Sequence, residues 1–86
     1  MSTKYVVIDN PMGEIMYILP SWVKHSDFVQ GMSGKPQVVS AGFISINKDE
    51  CGEIRGTTWG KSHSLGIGSR DRDTFLLHQT LELGEY

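Results

Sequence analysis

Eighty-six residues with a formal net charge of −2, 21% charged and 38% hydrophobic, fit one small globular domain spanning residues 1–86. The mixed, slightly acidic balance gives no basic field for tight nonspecific nucleic-acid binding and no acidic block for DNA mimicry. No apolar run is long enough to cross a bilayer, and the lone Cys51 has no intrachain disulfide partner, which fits a reducing compartment.

The opening MSTKYVVID lacks the basic region, long apolar core and small-residue cleavage site of a signal peptide, so a first strand over Tyr5–Asp9 and a cytoplasmic protein are expected. Asn10-Pro11-Met12-Gly13 is turn chemistry, and Glu14–Leu19 reads as the second strand of an antiparallel hairpin. Both strands are almost wholly apolar. Their two faces therefore need covers, one from a helix and one from a partner subunit, and a homo-oligomer is expected.

Pro20 ends the second strand. Ser21 is placed to cap a helix running to about Gln30, with Trp22, His25, Phe28, Val29 and Met32 on one side. A shorter helix capped by Ser26 is the alternative. Gly31–Pro36 is a loop by composition. Gln37–Asn47 reads as a strand, with Ile44 and Ile46 facing one way and Phe43 and Ser45 the other. The small side chains of Ser40-Ala41-Gly42 predict close packing by the first helix or a neighbouring backbone.

Asn47–Gly52 is a polar turn region. Glu53–Trp59 is the next strand, with Arg55, Thr57 and Trp59 opposite Ile54 and Thr58. Leu65 and Ile67 offer a short fifth strand after a turn at Gly60. Asp71–Leu83 is helical, with Leu76, Leu77, Leu81 and Leu83 on its apolar side and Gly84 as its stop. The order β-β-α-β-β-(β)-α and the short connections predict an α+β domain, a small antiparallel sheet with both helices on one face.

Gly56–Asp73 concentrates the candidate chemistry. Gly60, Gly66 and Gly68 allow close approach of backbone N–H groups to a ligand. Lys61 and Arg70 add charge, Ser62, Ser64 and Ser69 add hydroxyl donors, and Trp59 offers a face for a base. Ser69 is a good N-cap, and the helix start that follows favours anions. A plain Gly-rich connection into a capped helix uses the same residues, and Asp71 and Asp73 would repel an anion there. The segment is not a P-loop, because the first required glycine falls on Arg55, and GIGSRD lacks the third glycine of a dinucleotide fingerprint.

No metal set is expected from His25, His63, His78 and Cys51, which lack ligand spacing, and no cofactor is implied. Ser62 and His63 are adjacent, and adjacent strand residues point to opposite faces, so no nucleophile–base pair is expected and no catalytic residue is assigned.

The stretches KPQVVSAGFISI (Lys35–Ile46) and GKSHSLGIGSRDRDTFLL (Gly60–Leu77) resemble short accessory proteins of tailed bacteriophages. The resemblance implies a counter-defence or host-takeover protein in the bacterial host cytoplasm. Such proteins act by binding: they block a host protein complex or sequester a signalling nucleotide. The functional expectation is a non-enzymatic binding protein that holds a nucleotide-like anion at Trp59, Gly60, Lys61, Ser62, Ser64, Gly66, Gly68, Ser69 and Arg70. The alternative is a protein-interaction module that inhibits a host protein complex through exposed aromatic surface. No membrane or nucleic-acid partner is expected.

Overall fold

The computed structural model describes residues 3–34 and 36–83. Two strands, β1 (Thr3–Asn10) and β2 (Gly13–Leu19), form a hairpin closed by a two-residue turn. Asn10 Oδ1 accepts the Met12 N–H at 2.9 Å, the self-bonding that makes asparagine a turn former. β3 (Gln37–Lys48) pairs with the other edge of β1, and β4 (Ile54–Trp59) pairs with β3. The result is a four-stranded antiparallel sheet in the order β2-β1-β3-β4. The α+β architecture is the one the sequence predicts.

Alternation along β1 divides the core. Tyr5 and Val7 join Met16, Ile44 and Leu77 on one face, under helix α2 (Arg72–Leu83). Val6 and Ile8 join Leu19 and Ala41 on the other, under Phe28 and Val29 of helix α1 (His25–Gln30) and Leu65. The helices therefore lie on opposite faces rather than together on one. Both apolar faces of β1 are covered within one chain, so this strand does not itself require a partner subunit.

Leu77 is fully buried over Gly56, where a Cβ would stand 2.6 Å from Leu77 Cδ2. Glycine here lets α2 seat closely on β4. Close packing at Gly42 comes from both expected sources. A Cβ there would lie 2.5 Å from the Trp59 carbonyl oxygen, and the first helix reaches its carbonyl through His25.

The first helix is shorter than the longer of the two spans predicted. Val23 N–H donates to the Pro20 carbonyl at 3.1 Å, which spends residues 20–23 on a turn. The helix then starts after Lys24 with no side-chain cap, so neither Ser21 nor Ser26 caps it. Trp22 leaves the expected apolar stripe and is 79% exposed, whereas His25 stays on it and is buried.

The fifth strand is also different. β5 (Lys61–Ser62) and β6 (Ile67–Gly68) pair only with each other, forming a separate ribbon that packs beside β3. Leu65 lies in the turn between them, packed against the α1-side core. Ser69 is not the cap of α2. Instead Asp73 Oδ2 accepts the Arg70 N–H at 2.9 Å, and Asp73 N–H donates to the Arg70 carbonyl at 3.0 Å. Only one half of a capping box is present, with aspartate in the glutamate's place, because the second bond runs from backbone to backbone. The expected helix stop at Gly84 and the side chains of Ile54 and Leu83 lie outside the described set.

Candidate functional site

A concavity of about 230 Å³ opens on the α1 side of the sheet, lined by Lys4, Lys24, His25, Phe43, Lys61, His63 and Ser64. Four parts of the chain meet here. Lys4 and Phe43 are cross-strand partners on β1 and β3, which sets them side by side in the floor. Lys24 and His25 come from the start of α1, and Lys61, His63 and Ser64 from β5 and the turn after it.

Several bonds hold this arrangement. The Lys4 ammonium donates to the Val23 carbonyl at 3.1 Å, tying β1 to the chain before α1. The Ser26 N–H donates to Ser64 Oγ at 3.3 Å, tying α1 to the ribbon. His25 Nε2–H donates to the Gly42 carbonyl at 2.9 Å, a tautomer fixed because a carbonyl only accepts. The His25 ring meets Phe43 edge-on at a centroid distance of 5.8 Å. Phe43 in turn stacks on Trp59 at 5.0 Å and 28°, and Trp59 Nε1–H donates to Ser45 Oγ at 2.8 Å.

Gly60 shapes the wall between these aromatics and Lys61. Its φ is +76°, and a Cβ there would stand 2.9 Å from Phe43 Cδ2. Only glycine satisfies both the backbone and the ring.

The electrostatics favour an anion. Three lysines and two histidines surround the opening, with no carboxylate among the described residues of its lining. Lys24, Lys61, His63 and Ser64 are exposed to a ligand arriving from solvent, while His25 is buried at the base.

The nine residues singled out by sequence divide into separate groups. Lys61 and Ser64 line the concavity. Trp59 and Gly60 support its wall through Phe43. Ser62 is buried, receives the Leu65 N–H at 3.2 Å and hydrogen-bonds Ser64 Oγ at 3.3 Å, so it shapes the ribbon turn. Gly66 sits in that turn, and Gly68 pairs with Lys61 across the ribbon. Ser69 donates its N–H to the Gly60 carbonyl at 2.9 Å as the chain leaves the ribbon.

Arg70 is directed elsewhere. Its guanidinium donates to both Glu14 carboxylate oxygens at 3.2 and 2.9 Å and reaches Asp73 Oδ1 at 2.8 Å. The charge assigned to anion capture is thus engaged within the protein and does not join the lysine cluster.

Around Asp73 lies a buried polar network. Tyr5 O–H donates to Asp73 Oδ2 at 2.6 Å, and both residues are fully buried. Burial, then the neighbouring Asp73 carboxylate, pushes the Tyr5 phenol well above its ordinary value. Burial pushes the Asp73 carboxyl up, but hydrogen bonds from Tyr5, from the Arg70 backbone and from the Arg70 side chain together hold it below its ordinary value. The buried Ser40 hydroxyl on β3 also lowers the Asp73 carboxyl, although its Oγ makes no hydrogen bond of standard geometry. Hydrogen bonding to Arg70 lowers the Glu14 carboxyl against a smaller opposing burial effect. This network joins β1, β2 and α2.

Lys4, Lys24, His25, Phe43 and His63 are the concavity residues that sequence reasoning missed. Each is unremarkable in its local sequence. The one usable signal was register, since placing Lys4 opposite Phe43 requires knowing that β1 pairs with β3. Among the described residues no group of three or more His, Cys, Asp or Glu is arranged to hold a metal ion, and no helix is long and apolar enough to cross a membrane. In comparisons with known proteins, no family model, curated protein or solved structure matches the chain.

Proposed function

We propose that this chain is a small non-enzymatic binding protein that sequesters a nucleotide-like anion in the basic concavity. One observation carries the reading: Lys4, Lys24, Lys61 and His63 converge on a single opening with no carboxylate among its described lining residues, in a chain whose net charge is −2. Local concentration of one charge sign against a weakly opposite background attracts and holds an oppositely charged ligand. Lys24 and Lys61 line the opening from different elements, α1 and the ribbon, and each offers a charge to a phosphate. The Ser64 hydroxyl at the rim offers a neutral donor, and Phe43 offers an apolar surface to the rest of the ligand.

The counter-defence role implied by the resemblance to phage accessory proteins would then take the form of sequestering a signalling nucleotide. A second reading, inhibition of a host protein complex, draws on Trp22, whose ring is 79% exposed and makes no stacking contact among the described residues. Large exposed aromatics are common anchors of protein interfaces.

Calorimetric titration separates the two. Pyrophosphate and a panel of mono-, di- and cyclic nucleotides are titrated into the purified chain and into Lys24→Ala, Lys61→Ala and Trp22→Ala. Saturable binding weakened by either lysine substitution and unaffected by Trp22→Ala supports anion capture. Flat titrations throughout reject it and leave the protein-interaction reading.

A further inference from the structure

The sheet has two outer strands, and the chain treats them differently. Antiparallel pairing alternates residues whose backbone groups bond inward with residues whose groups point outward. The two-residue turn after Asn10 closes on the Asn10–Gly13 pair, so Gly13, Ile15, Tyr17 and Leu19 bond to β1. Carrying the alternation across the sheet makes Phe43, Ser45 and Asn47 the residues that bond to β4, and leaves Thr58 and Gly56 pointing outward from that edge. Two side-chain bonds agree with this assignment. Thr58 N–H donates to Thr74 Oγ1 at 3.2 Å, and His78 Nε2–H donates to the Gly56 carbonyl at 3.1 Å. Helix α2 thus occupies two of the outward groups of β4, the Thr58 N–H and the Gly56 carbonyl. The part of β3 beyond β4 is flanked by the β5–β6 ribbon.

By the same alternation, Glu14, Met16 and Ile18 turn their N–H and C=O groups outward from β2. Among the described residues none donates to or accepts from these groups outside the sheet. The strand also lacks the usual edge protections. It contains no proline or lysine, and it pairs with β1 without a bulge. Ile15 and Ile18, on opposite faces by alternation, remain 43% and 41% exposed.

We propose that β2 pairs antiparallel with β2 of a second copy of this chain, about a two-fold axis at Met16, to form a continuous eight-stranded sheet. A second copy fits because the outward set is symmetric about Met16. The axis sets Met16 against Met16 and Glu14 against Ile18, so the outward donors and acceptors pair in full. It also keeps the two Glu14 carboxylates from standing directly opposite. Glu14, the strand's one ionised side chain, is already bound by Arg70 at 2.9 Å and flanked by Arg72 at 3.6 Å. Ile15 falls beside Tyr17 of the other copy on the α1 face, extending the apolar surface that Tyr17 and Phe28 begin at 5.6 Å.

The test combines mass with backbone protection on the full chain. Sedimentation velocity from low to high micromolar concentration is expected to show a species of twice the chain mass. Amide hydrogen exchange resolved by residue is expected to show protection at Glu14, Met16 and Ile18 that grows with concentration. Ile15→Lys and Ile18→Lys, at half-exposed positions, are expected to weaken self-association by at least about tenfold while leaving the circular dichroism spectrum unchanged, because charge on an edge strand opposes strand addition. A monomer at every concentration overturns the proposal. So does a dimer in which those three amides still exchange as fast as exposed loop amides.

Discussion

Tyr5→Phe removes one oxygen atom from the centre of the molecule and leaves the ring in place. The lost hydroxyl donates to Asp73 Oδ2 at 2.6 Å, within the range of a charge-assisted bond. A hydrogen bond to a charged group contributes about 1.5–3 kcal/mol. Asp73 keeps its bonds to the Arg70 backbone at 2.9 Å and to the guanidinium at 2.8 Å, so the carboxylate is not orphaned. The expected loss is therefore near the middle of that range, about 2 kcal/mol. For a domain of this size, that lowers the melting temperature by about 8–16 °C. Asp73→Asn removes the charge itself and is expected to cost more, about 3–5 kcal/mol, as breaking a buried ion pair does. Urea unfolding of wild type, both single variants and the double variant closes a cycle that isolates the coupling. Tyr5→Phe within about 0.5 kcal/mol of wild type, or additive losses in the cycle, would show that this network is not what fastens α2 to the sheet.

The same groups set a pH window. Asp73 and Glu14 are held below their ordinary values, so their stabilisation is full above about pH 4 and is lost as pH falls through their lower folded values. Tyr5 is held above its ordinary value, so its share is full below about pH 10 and declines above it, where the unfolded chain ionises first. Thermal melts across pH are expected to show both limbs, with the alkaline one reduced in Tyr5→Phe. Gly60→Ala forces alanine to φ +76° and a Cβ to within 2.9 Å of Phe43, so it is expected to cost at least about 1–2 kcal/mol and to alter the near-ultraviolet signal of the Phe43–Trp59 stack. Leu77→Ala empties the fully buried seat over Gly56 and is expected to cost about 2–5 kcal/mol in denaturant unfolding.

The hairpin and β3 were legible because their signals are local. Runs of apolar and branched residues and an Asn-Pro turn need no tertiary knowledge, and β1, β2 and β3 lie within two residues of the predicted bounds. The start of α1 was not legible, because the Pro20–Val23 turn competes with helix nucleation and leaves Ser21 outside. The β5–β6 ribbon escaped for a different reason: strands of two residues are too short to express a period. Covering of both β1 faces was predicted, but the second cover proved to be the other helix.

Of the candidate site, the cluster around Lys61 and Ser64 was visible as a local concentration of glycine, hydroxyl and charge. Lys4 and Lys24 were not, since only the fold brings them to the ribbon. Arg70 shows the limit of reading charge locally. Its partner Glu14 lies on β2, far away in sequence, and that ion pair determines where the guanidinium points.

Anion capture is tested most directly by titrating pyrophosphate, then nucleotides, into wild type, Lys61→Ala and Arg70→Ala at low and moderate salt. Loss of one charge-assisted contact worth about 1.5–3 kcal/mol predicts that Lys61→Ala weakens binding about ten- to a hundredfold. Salt is expected to weaken it too, because Lys24 and Lys61 are exposed. Arg70→Ala, directed at Glu14 and Asp73, is expected to lower the melting temperature while the folded fraction keeps its affinity. No heat of binding with any ligand, or binding that Lys61→Ala leaves unchanged, would contradict the assignment of this concavity as an anion site.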